Sequence, residues 1–213
     1  MQSHSKEFSE RIIHDWTESD YYELAESPTW LSLFWDASSR FRRQFEKLDL
    51  GVTIELACGR GRHCAQILDR CREIILVDVN RSNIDSCRKR FANHNHVVYL
   101  ENDGYSLDLI HSEYATSLYC YDAMVHFELE SIIGYLVEIF RVLKQGGQAL
   151  LHHSNYDKNP GAAYTENFHW RNFMSQNLFI HLSRRTGFSV LYSECFNWAD
   201  DDHVTDCLTL LRK

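Results

Sequence analysis

The sequence has little positive charge, few prolines and no long apolar run. Against 30 acidic residues it carries 22 lysines and arginines, a formal charge of −8. This argues against nucleic acid as a partner, because phosphate-backbone binding depends on clustered cations. No apolar run approaches the roughly 20 residues that span a bilayer, so we expect no membrane partner. The N-terminus also lacks the apolar core of a secretory signal.

The seven cysteines follow no disulfide or metal-binding spacing. Their number is odd and no C-x-x-C pair occurs, which favours reduced thiols in a cytoplasmic protein. Cys58, Cys64 and Cys71 come nearest to a metal pattern, but the period of a helix explains their spacing better than zinc does. We therefore expect a cytoplasmic protein without a metal site. The length of 213 residues fits one domain over residues 1–213.

Residues 52–62 are the most informative stretch, with the sequence Val-Thr-Ile-Glu-Leu-Ala-Cys-Gly-Arg-Gly-Arg. The run Val52–Ala57 is apolar and partly β-branched, which predicts a strand buried on both faces of a parallel sheet. A helical pattern follows the two glycines. A strand that passes through glycines into a helix is typical of the nucleotide-binding corner of a doubly wound α/β fold. There the backbone comes close to the ligand, and the helix N-terminus favours an anion.

Glu55, Ala57, Gly59 and Gly61 resemble the first motif of the class I methyltransferases that use S-adenosylmethionine, written E/D-x-G/A-x-G-x-G. A dinucleotide fingerprint fits less well, because Cys64 stands where that fingerprint requires a third small residue. The resemblance implies that S-adenosylmethionine is the cofactor and that the four motif residues belong to its site.

A second segment, Arg141–Gly147, is similar to the R-x-L-K-P-G-G segment before strand five of the same family, with Gln145 in place of the proline. The resemblance thus spans about residues 50–153, the expected cofactor-binding core. It implies a doubly wound, seven-stranded sheet, mostly parallel with the last strand antiparallel, and helices on both faces. The predicted strands are 52–57, 73–79, 96–100, 115–120, 148–153, 188–195 and 203–211.

The ends of the predicted strands supply further candidate cofactor residues. Asp78 ends the second strand, where a carboxylate accepts hydrogen bonds from ribose hydroxyls in this fold; helix capping is the simpler alternative. Asp103 and Gly104 follow the third strand and read as a turn on their own. The resemblance implies that they bind the adenine amino group, and that Val79 and Tyr121 also contact the cofactor.

The segment before the first strand is rich in aromatic residues. Residues 8–29 read as one or two short helical pieces broken at Pro28, and the spacing of apolar residues predicts one amphipathic helix over residues 31–48. Packing against the sheet would explain these aromatics. In the family that the chain resembles, however, such a helix often folds over the cofactor, so we expect residues 1–49 to form a helical cap.

Residues 154–213 are expected to hold the acceptor loop and the last two strands. The loop 154–170 is long and crowded with polar and aromatic residues, and it follows strand five at the edge where ligands bind. A helix is predicted over residues 173–186, and Gly187 ends it.

Titratable residues at the ends of strands four and five are the candidates for chemistry. Methyl transfer to a hydroxyl group needs a positioned acceptor and removal of its proton. A histidine, with an unperturbed pKa of about 6.5, suits that base. We predict His126 or His153 as the base, with Asp122 orienting one of them. His152 and His153 point to opposite faces of a regular strand, so at most one lines the site. The alternative is that these histidines only bind the acceptor or hold the loop.

The chemical class of the methyl acceptor can be inferred only by excluding motifs that are absent and by analogy with the family. Cys120–Ala123 replaces the [D/N/S]-P-P-[Y/F] segment of enzymes that methylate amino groups of nucleic-acid bases, and the paired-glutamate loop of arginine methyltransferases is absent. The family resemblance then favours a small hydroxylated acceptor, such as a sugar or natural product, and O-methyl transfer. The alternatives are an NAD-dependent oxidoreductase on the same fold and an inactive nucleotide-binding or scaffold protein.

Overall fold

The computed structural model of the chain describes residues 21–198 and 203–213. The predicted helical pieces before Tyr21, with their aromatic residues Phe8 and Trp16, lie outside the described residues. Three short helices precede the sheet: α1 (Tyr21–Leu24), α2 (Pro28–Trp35) and α3 (Arg40–Phe45). Pro28 begins α2 and does not break a helix, because its fixed φ and missing N–H suit the first turn.

The predicted single helix over residues 31–48 is wrong, because α2 ends at Trp35 and α3 begins at Arg40. Ser39 separates them: its hydroxyl oxygen accepts from Arg42 N–H at 3.0 Å and its hydroxyl donates to the Phe34 carbonyl. Short polar side chains compete in this way with helical hydrogen bonds. The apolar spacing continued across the break because both helices bury their aromatic residues against the same core.

Seven strands form one sheet in the order β3-β2-β1-β4-β5-β7-β6. All neighbouring pairs are parallel except those of β7, which runs antiparallel to β5 and to β6. The predicted doubly wound sheet with an antiparallel last strand is confirmed. The strands are β1 (Val52–Leu56), β2 (Glu73–Asp78), β3 (Val97–Glu101), β4 (Ala115–Cys120), β5 (Leu143–Ser154), β6 (Ser189–Phe196) and β7 (Asp206–Arg212).

Helices cover both faces of the sheet, as predicted. They are α4 (Cys64–Ile67), which continues as a 3₁₀ turn (Leu68–Arg70), α5 (Arg81–Arg90), α6 (Leu129–Val142) and α7 (Gln176–Thr186). Ile139 and Phe179 of α6 and α7 belong to the core of one face, and Phe45, Ile67 and Cys87 of α3, α4 and α5 belong to the other. Within the two described ranges, no helix is long and apolar enough to cross a membrane.

Helix α6 ends at Val142 and β5 begins at the next residue, so Gly146 and Gly147 lie within the strand and not at the end of the helix. Its last carbonyls are satisfied by the chain before β4: Glu113 N–H donates to Arg141 O at 2.9 Å, and Tyr114 N–H donates to Val142 O at 2.8 Å. A tertiary contact thus takes the place of a glycine cap at the end of this helix.

Candidate functional site

An open cavity lies where the parallel strands end, beside the junction of β1 and β4. In doubly wound sheets ligands bind at this edge, where the chain turns from one half of the sheet to the other. In the part of the chain that the structure describes, no three His, Cys, Asp or Glu residues could hold a metal ion. The predicted residues that line the cavity are Ala57, Gly59, Asp78, Val79, Gly104, Tyr121, Asp122 and His126.

The loop after β1 adopts left-handed backbone angles at three positions: Ala57 (φ 56°), Gly59 (φ 53°) and Gly61 (φ 79°). At Gly59 an added Cβ would lie 2.9 Å from the Tyr22 ring, on the side of the cavity. At Gly61 it would lie 2.5 Å from a ring carbon of Phe91, inside the core. Gly59 therefore lets the backbone border the cavity, whereas Gly61 lets the loop pack on α5.

Glu55 lies beneath the loop and does not line the cavity. Its side chain is buried and accepts a hydrogen bond of 2.7 Å from the Tyr119 hydroxyl on β4. Burial, the largest influence, raises its pKa to about 8, although the bond from Tyr119 opposes this shift. The motif acid thus joins β1 to β4 below the site.

Asp78 borders the cavity and ties the end of β2 to the glycine loop. One carboxylate oxygen accepts from Gly59 N–H at 2.8 Å, and the other accepts from Asn80 N–H at 2.8 Å and from Asn83 Nδ2 at 3.2 Å. Burial raises the pKa of Asp78, and these hydrogen bonds oppose the increase. A carboxylate held in this way presents its remaining lone pairs in a fixed direction.

The two residues after β3 have different roles. Asp103 is exposed and accepts from Tyr105 N–H at 3.0 Å and Ser106 N–H at 2.7 Å, which closes a turn. Asn102 lines the cavity instead. Its Nδ2 donates to Ser106 O and to the Tyr135 hydroxyl, both at 2.9 Å, whereas its buried Oδ1 has no hydrogen-bond partner among the described residues. That oxygen is an acceptor suited to a ligand amino group.

A partly buried ion pair lies at the β4 end of the cavity. Arg62 Nη2 lies 3.1 Å from Asp122 Oδ2, and the hydroxyl of Tyr21 donates to the same oxygen. The pKa of Tyr21 is raised, first by burial and then by the Asp122 carboxylate. Asp122 itself has the left-handed backbone (φ 59°) that is uncommon outside glycine. The contact joins helix α1 to the end of β4.

His126 lies in a 3₁₀ turn (Met124–His126) after β4 and borders the cavity. Its Nδ1 lies 2.7 Å from the Trp170 carbonyl oxygen, so Nδ1 carries the hydrogen and donates it, and Nε2 carries the lone pair. Burial, followed by the positive charge of Arg171, lowers its pKa to about 4. The ring is therefore neutral near neutral pH.

The structure separates His153 from the other candidates. As predicted, the two adjacent histidines of β5 face opposite sides of the sheet. His152 stacks on Tyr121 with 4.6 Å between the ring centroids, whereas His153 stacks on Phe179 of α7 at 3.6 Å. The Nε2 of His153 accepts from the Thr209 hydroxyl at 2.9 Å. His153 does not line the cavity, and its position gives it no access to an acceptor there.

Several residues that line the cavity were not predicted from the sequence. Arg62 and His63 follow the glycine loop directly, and their place in the first turn after it was the available signal. The Nδ1 of His63 accepts from the Trp35 indole at 3.1 Å, and its buried Nε2 has no partner among the described residues. The other lining residues that were missed include Tyr21, Tyr22, Asn83 and Asn102.

A comparison with protein-family models agrees with this geometry. Residues 54–147 match the model described as a methyltransferase domain. No curated protein matches the sequence significantly. This part of the chain is therefore similar to a methyltransferase domain, and the similarity indicates S-adenosylmethionine as the cofactor.

Solved structures share the fold at low sequence identity. An S-adenosylmethionine-dependent methyltransferase from Mesorhizobium loti matches with a TM-score of 0.66 and 14% identity, over 84% of this chain and 99% of that one. A geranyl diphosphate C-methyltransferase from Streptomyces coelicolor A3(2), solved with Mg²⁺, geranyl diphosphate and S-adenosyl-L-homocysteine, matches at 0.69 and 12%, over 96% and 97%. The [4+2]-cyclase SpnF matches at 0.64 and 15%, over 78% and 76%. The fold thus supports more than one reaction.

Proposed function

We propose that the chain transfers the methyl group of S-adenosylmethionine to a small molecule. The acceptor atom is the oxygen of an acidic hydroxyl group, such as that of a phenol or enol. One observation carries the cofactor part of this proposal: the glycine loop, the Asp78 carboxylate and the Asn102 amide line a single cavity at the ligand-binding edge of the sheet. The C-methyltransferase among the similar structures makes carbon the alternative acceptor atom.

The cavity residues fit the parts of the cofactor. We assign the ribose hydroxyls to Asp78, and the adenine amino group to Asn102 Oδ1, which is buried without a partner among the described residues. This moves the adenine contact from Asp103 to its neighbour. At the other end, Arg62 and Asp122 offer a positive and a negative group to the carboxylate and ammonium of the methionine part.

The acceptor class follows from the groups beside that end of the cavity. The cofactor supplies a methyl group on a positively charged sulfur, so this chain has to orient the acceptor and accept its proton. His126 Nε2 is a hydrogen-bond acceptor, but its pKa of about 4 makes it a weak base. Asp122 is already bonded to Tyr21 and Arg62. A hydroxyl group of low intrinsic pKa can be deprotonated by a weaker base than a sugar alcohol requires.

Replacing Asp78 by alanine should weaken S-adenosylhomocysteine binding by about 1–3 kcal/mol, because the ribose hydroxyls lose a buried acceptor. Titration calorimetry measures this loss, with the thermal midpoint as the check on folding. Asp85→Ala is the matched control, since Asp85 is exposed on α5 and does not line the cavity. Equal affinity in folded Asp78→Ala and wild-type protein would remove the ribose assignment.

The cofactor and the acceptor can be tested separately. Stabilisation by S-adenosylhomocysteine but not by NAD is expected in a thermal-shift assay, because a ligand that binds the native state raises its stability. Transfer from cofactor with a labelled methyl group should then occur to phenols and enols and not to aliphatic alcohols. Stabilisation by NAD alone would favour the oxidoreductase alternative, and transfer to sugar alcohols would overturn the acceptor class.

A further inference from the structure

A fully buried ion pair lies behind the β4 end of the cavity, outside the residues that line it. Arg171 Nε is 2.6 Å from Asp206 Oδ1, and Arg171 Nη2 is 2.8 Å from Asp206 Oδ2. The exposed fractions of the two side chains are 3% and 0%. Burial alone would raise the pKa of Asp206, but its contacts with His152 and Arg171 lower it. A buried pair of this kind contributes little stability compared with apolar residues, so its geometry calls for another explanation.

The first connection from this pair runs through His152 to Asp122. His152 Nε2 lies 2.8 Å from Asp206 Oδ2 and donates to it, while Nδ1 accepts from the backbone N–H of Asp122 at 3.0 Å. His152 is completely buried. Its two partners require a hydrogen on Nε2 and a lone pair on Nδ1, so the ring is neutral. This bond holds the backbone of Asp122, which has a left-handed φ of 59°.

The second connection runs through a tight turn to His126. Arg171 Nη1 donates to the His169 carbonyl at 2.8 Å. His169 (φ 48°) and Trp170 (φ 55°) both have left-handed backbone angles, which persist only where the surrounding structure holds them. The Trp170 carbonyl accepts the Nδ1 hydrogen of His126 at 2.7 Å. His126 therefore carries its hydrogen on Nδ1, the opposite tautomer to that of His152.

We propose that the Arg171–Asp206 pair is a positioning device that holds two groups of the acceptor side in place, the Asp122 backbone through His152 and the His126 ring through the turn at residues 169–170. The inference rests on the proposed function only in placing Asp122 and His126 beside the acceptor. Neither Arg171 nor Asp206 lines the cavity, so both act through other residues. The opposite tautomers of the two histidines are the signature of the arrangement.

Nitrogen-15 spectra of the folded, cofactor-free protein test this directly. With ¹⁵N-labelled histidine at pH 7.5, the wild type should show His126 protonated on Nδ1 and His152 protonated on Nε2, both neutral. Two variants then break the connections one at a time. Arg171→Lys keeps the positive charge but loses the planar guanidinium that bonds both Asp206 and the His169 carbonyl. The turn at residues 169–170 is then held less firmly, and His126 should become a mixture of tautomers. His152→Gln can place its amide nitrogen where Nε2 stands and donate to Asp206, but it then has no atom at the position of the ring Nδ1, which accepts the Asp122 N–H.

In His152→Gln the His126 tautomer should not change, whereas hydrogen exchange of the Asp122 amide should accelerate roughly fivefold, which corresponds to about 1 kcal/mol for one hydrogen bond. The matched control is Arg141→Lys, because Arg141 of α6 also bonds a carboxylate and two loop carbonyls, at Ile110 and Leu107, and none of these residues lines the cavity. It should leave both histidines and the Asp122 amide unchanged.

Three results would overturn the proposal: identical tautomers or a charged ring in the wild type, an unchanged His126 in folded Arg171→Lys, or an unchanged Asp122 amide in His152→Gln. If Arg171→Lys does not fold, the tautomers of the wild type and the exchange rate in His152→Gln still test the proposal. None of these readouts needs the cofactor or an acceptor. Failure of S-adenosylhomocysteine to bind the wild type would contradict the proposed function alone.

Discussion

The residues of the glycine motif have different structural roles, although they belong to one sequence motif. Gly59 and Gly61 share a left-handed backbone, yet one borders the cavity and the other packs against Phe91. Glu55, the acid of the same motif, supports the loop from below through Tyr119. The motif therefore combines contact with a ligand and construction of the loop, and its members should respond differently to substitution.

Replacing Gly61 by alanine should reduce the free energy of unfolding by about 2–4 kcal/mol, because the left-handed backbone is strained and the new methyl group collides with the Phe91 ring. Gly146→Ala is the matched control, since Gly146 has a similar φ of 82° and no atom within 4 Å of its added Cβ. It should cost about 1–2 kcal/mol. Denaturant unfolding measures both, and equal losses would show that the collision is relieved at no cost.

The Glu55 carboxyl should make stability depend on pH. Its pKa rises from 4.5 to about 8 on folding, mainly through burial, so the folded state binds the proton more tightly than the unfolded chain. This contribution is complete below pH 4.5 and is lost as the pH rises toward 8. The unfolding free energy of the wild type, minus that of Glu55→Gln, should therefore decrease over this range in denaturant titrations. A constant difference would mean that the carboxyl keeps its ordinary pKa.

Among the elements, the short helices before the sheet depend on their first residues. Ser27 and Ser39 begin α2 and α3 with side-chain oxygens that accept a backbone N–H of the first turn. Helices of eight and six residues gain little from their own hydrogen bonds, so caps and burial of aromatic residues hold them in place.

Replacing Ser39 by alanine should lower the free energy of unfolding by about 1–2 kcal/mol, because it removes the cap of α3 and the bond to the Phe34 carbonyl. Ser38→Ala is the matched control, since Ser38 is exposed and its hydroxyl bonds only to Asp36 among the described residues. It should stay within about 0.5 kcal/mol of the wild type. Chemical denaturation measures both, and similar values would show that Ser39 does not separate the helices.

At the scale of the whole molecule, the N-terminal helices bear directly on the site. The Tyr22 hydroxyl accepts from Asn83 at 3.0 Å, Arg60 lies 4.9 Å from its ring centroid, and Tyr21 reaches Asp122. These contacts support the expectation that the segment covers the cofactor. Of the helical cap predicted over residues 1–49, the part before Tyr21 lies outside the described residues.

Binding of S-adenosylhomocysteine should slow hydrogen exchange in residues 21–35, because a ligand beside Tyr21 and Tyr22 of α1 adds contacts that stabilise this segment. Mass spectrometry of peptides from this range measures the change. Peptides from β6, at the far edge of the sheet, provide the internal control and should exchange at an unaltered rate. Unchanged protection of residues 21–35 at saturating ligand would mean that the segment packs against the sheet and does not cover the cofactor.

The sequence by itself determined the strand, glycine loop and helix at residues 52–67 and the opposite faces of His152 and His153, because these follow from periodicity and local backbone demands. The seven-stranded sheet was implied by the family resemblance. Only the tertiary structure decided that Asn102 and not Asp103 borders the cavity, and that His153 faces α7. It also brought Arg171 and Asp206, 35 residues apart, into one buried pair. Such contacts depend on which elements pack together, and a local sequence pattern does not determine this packing.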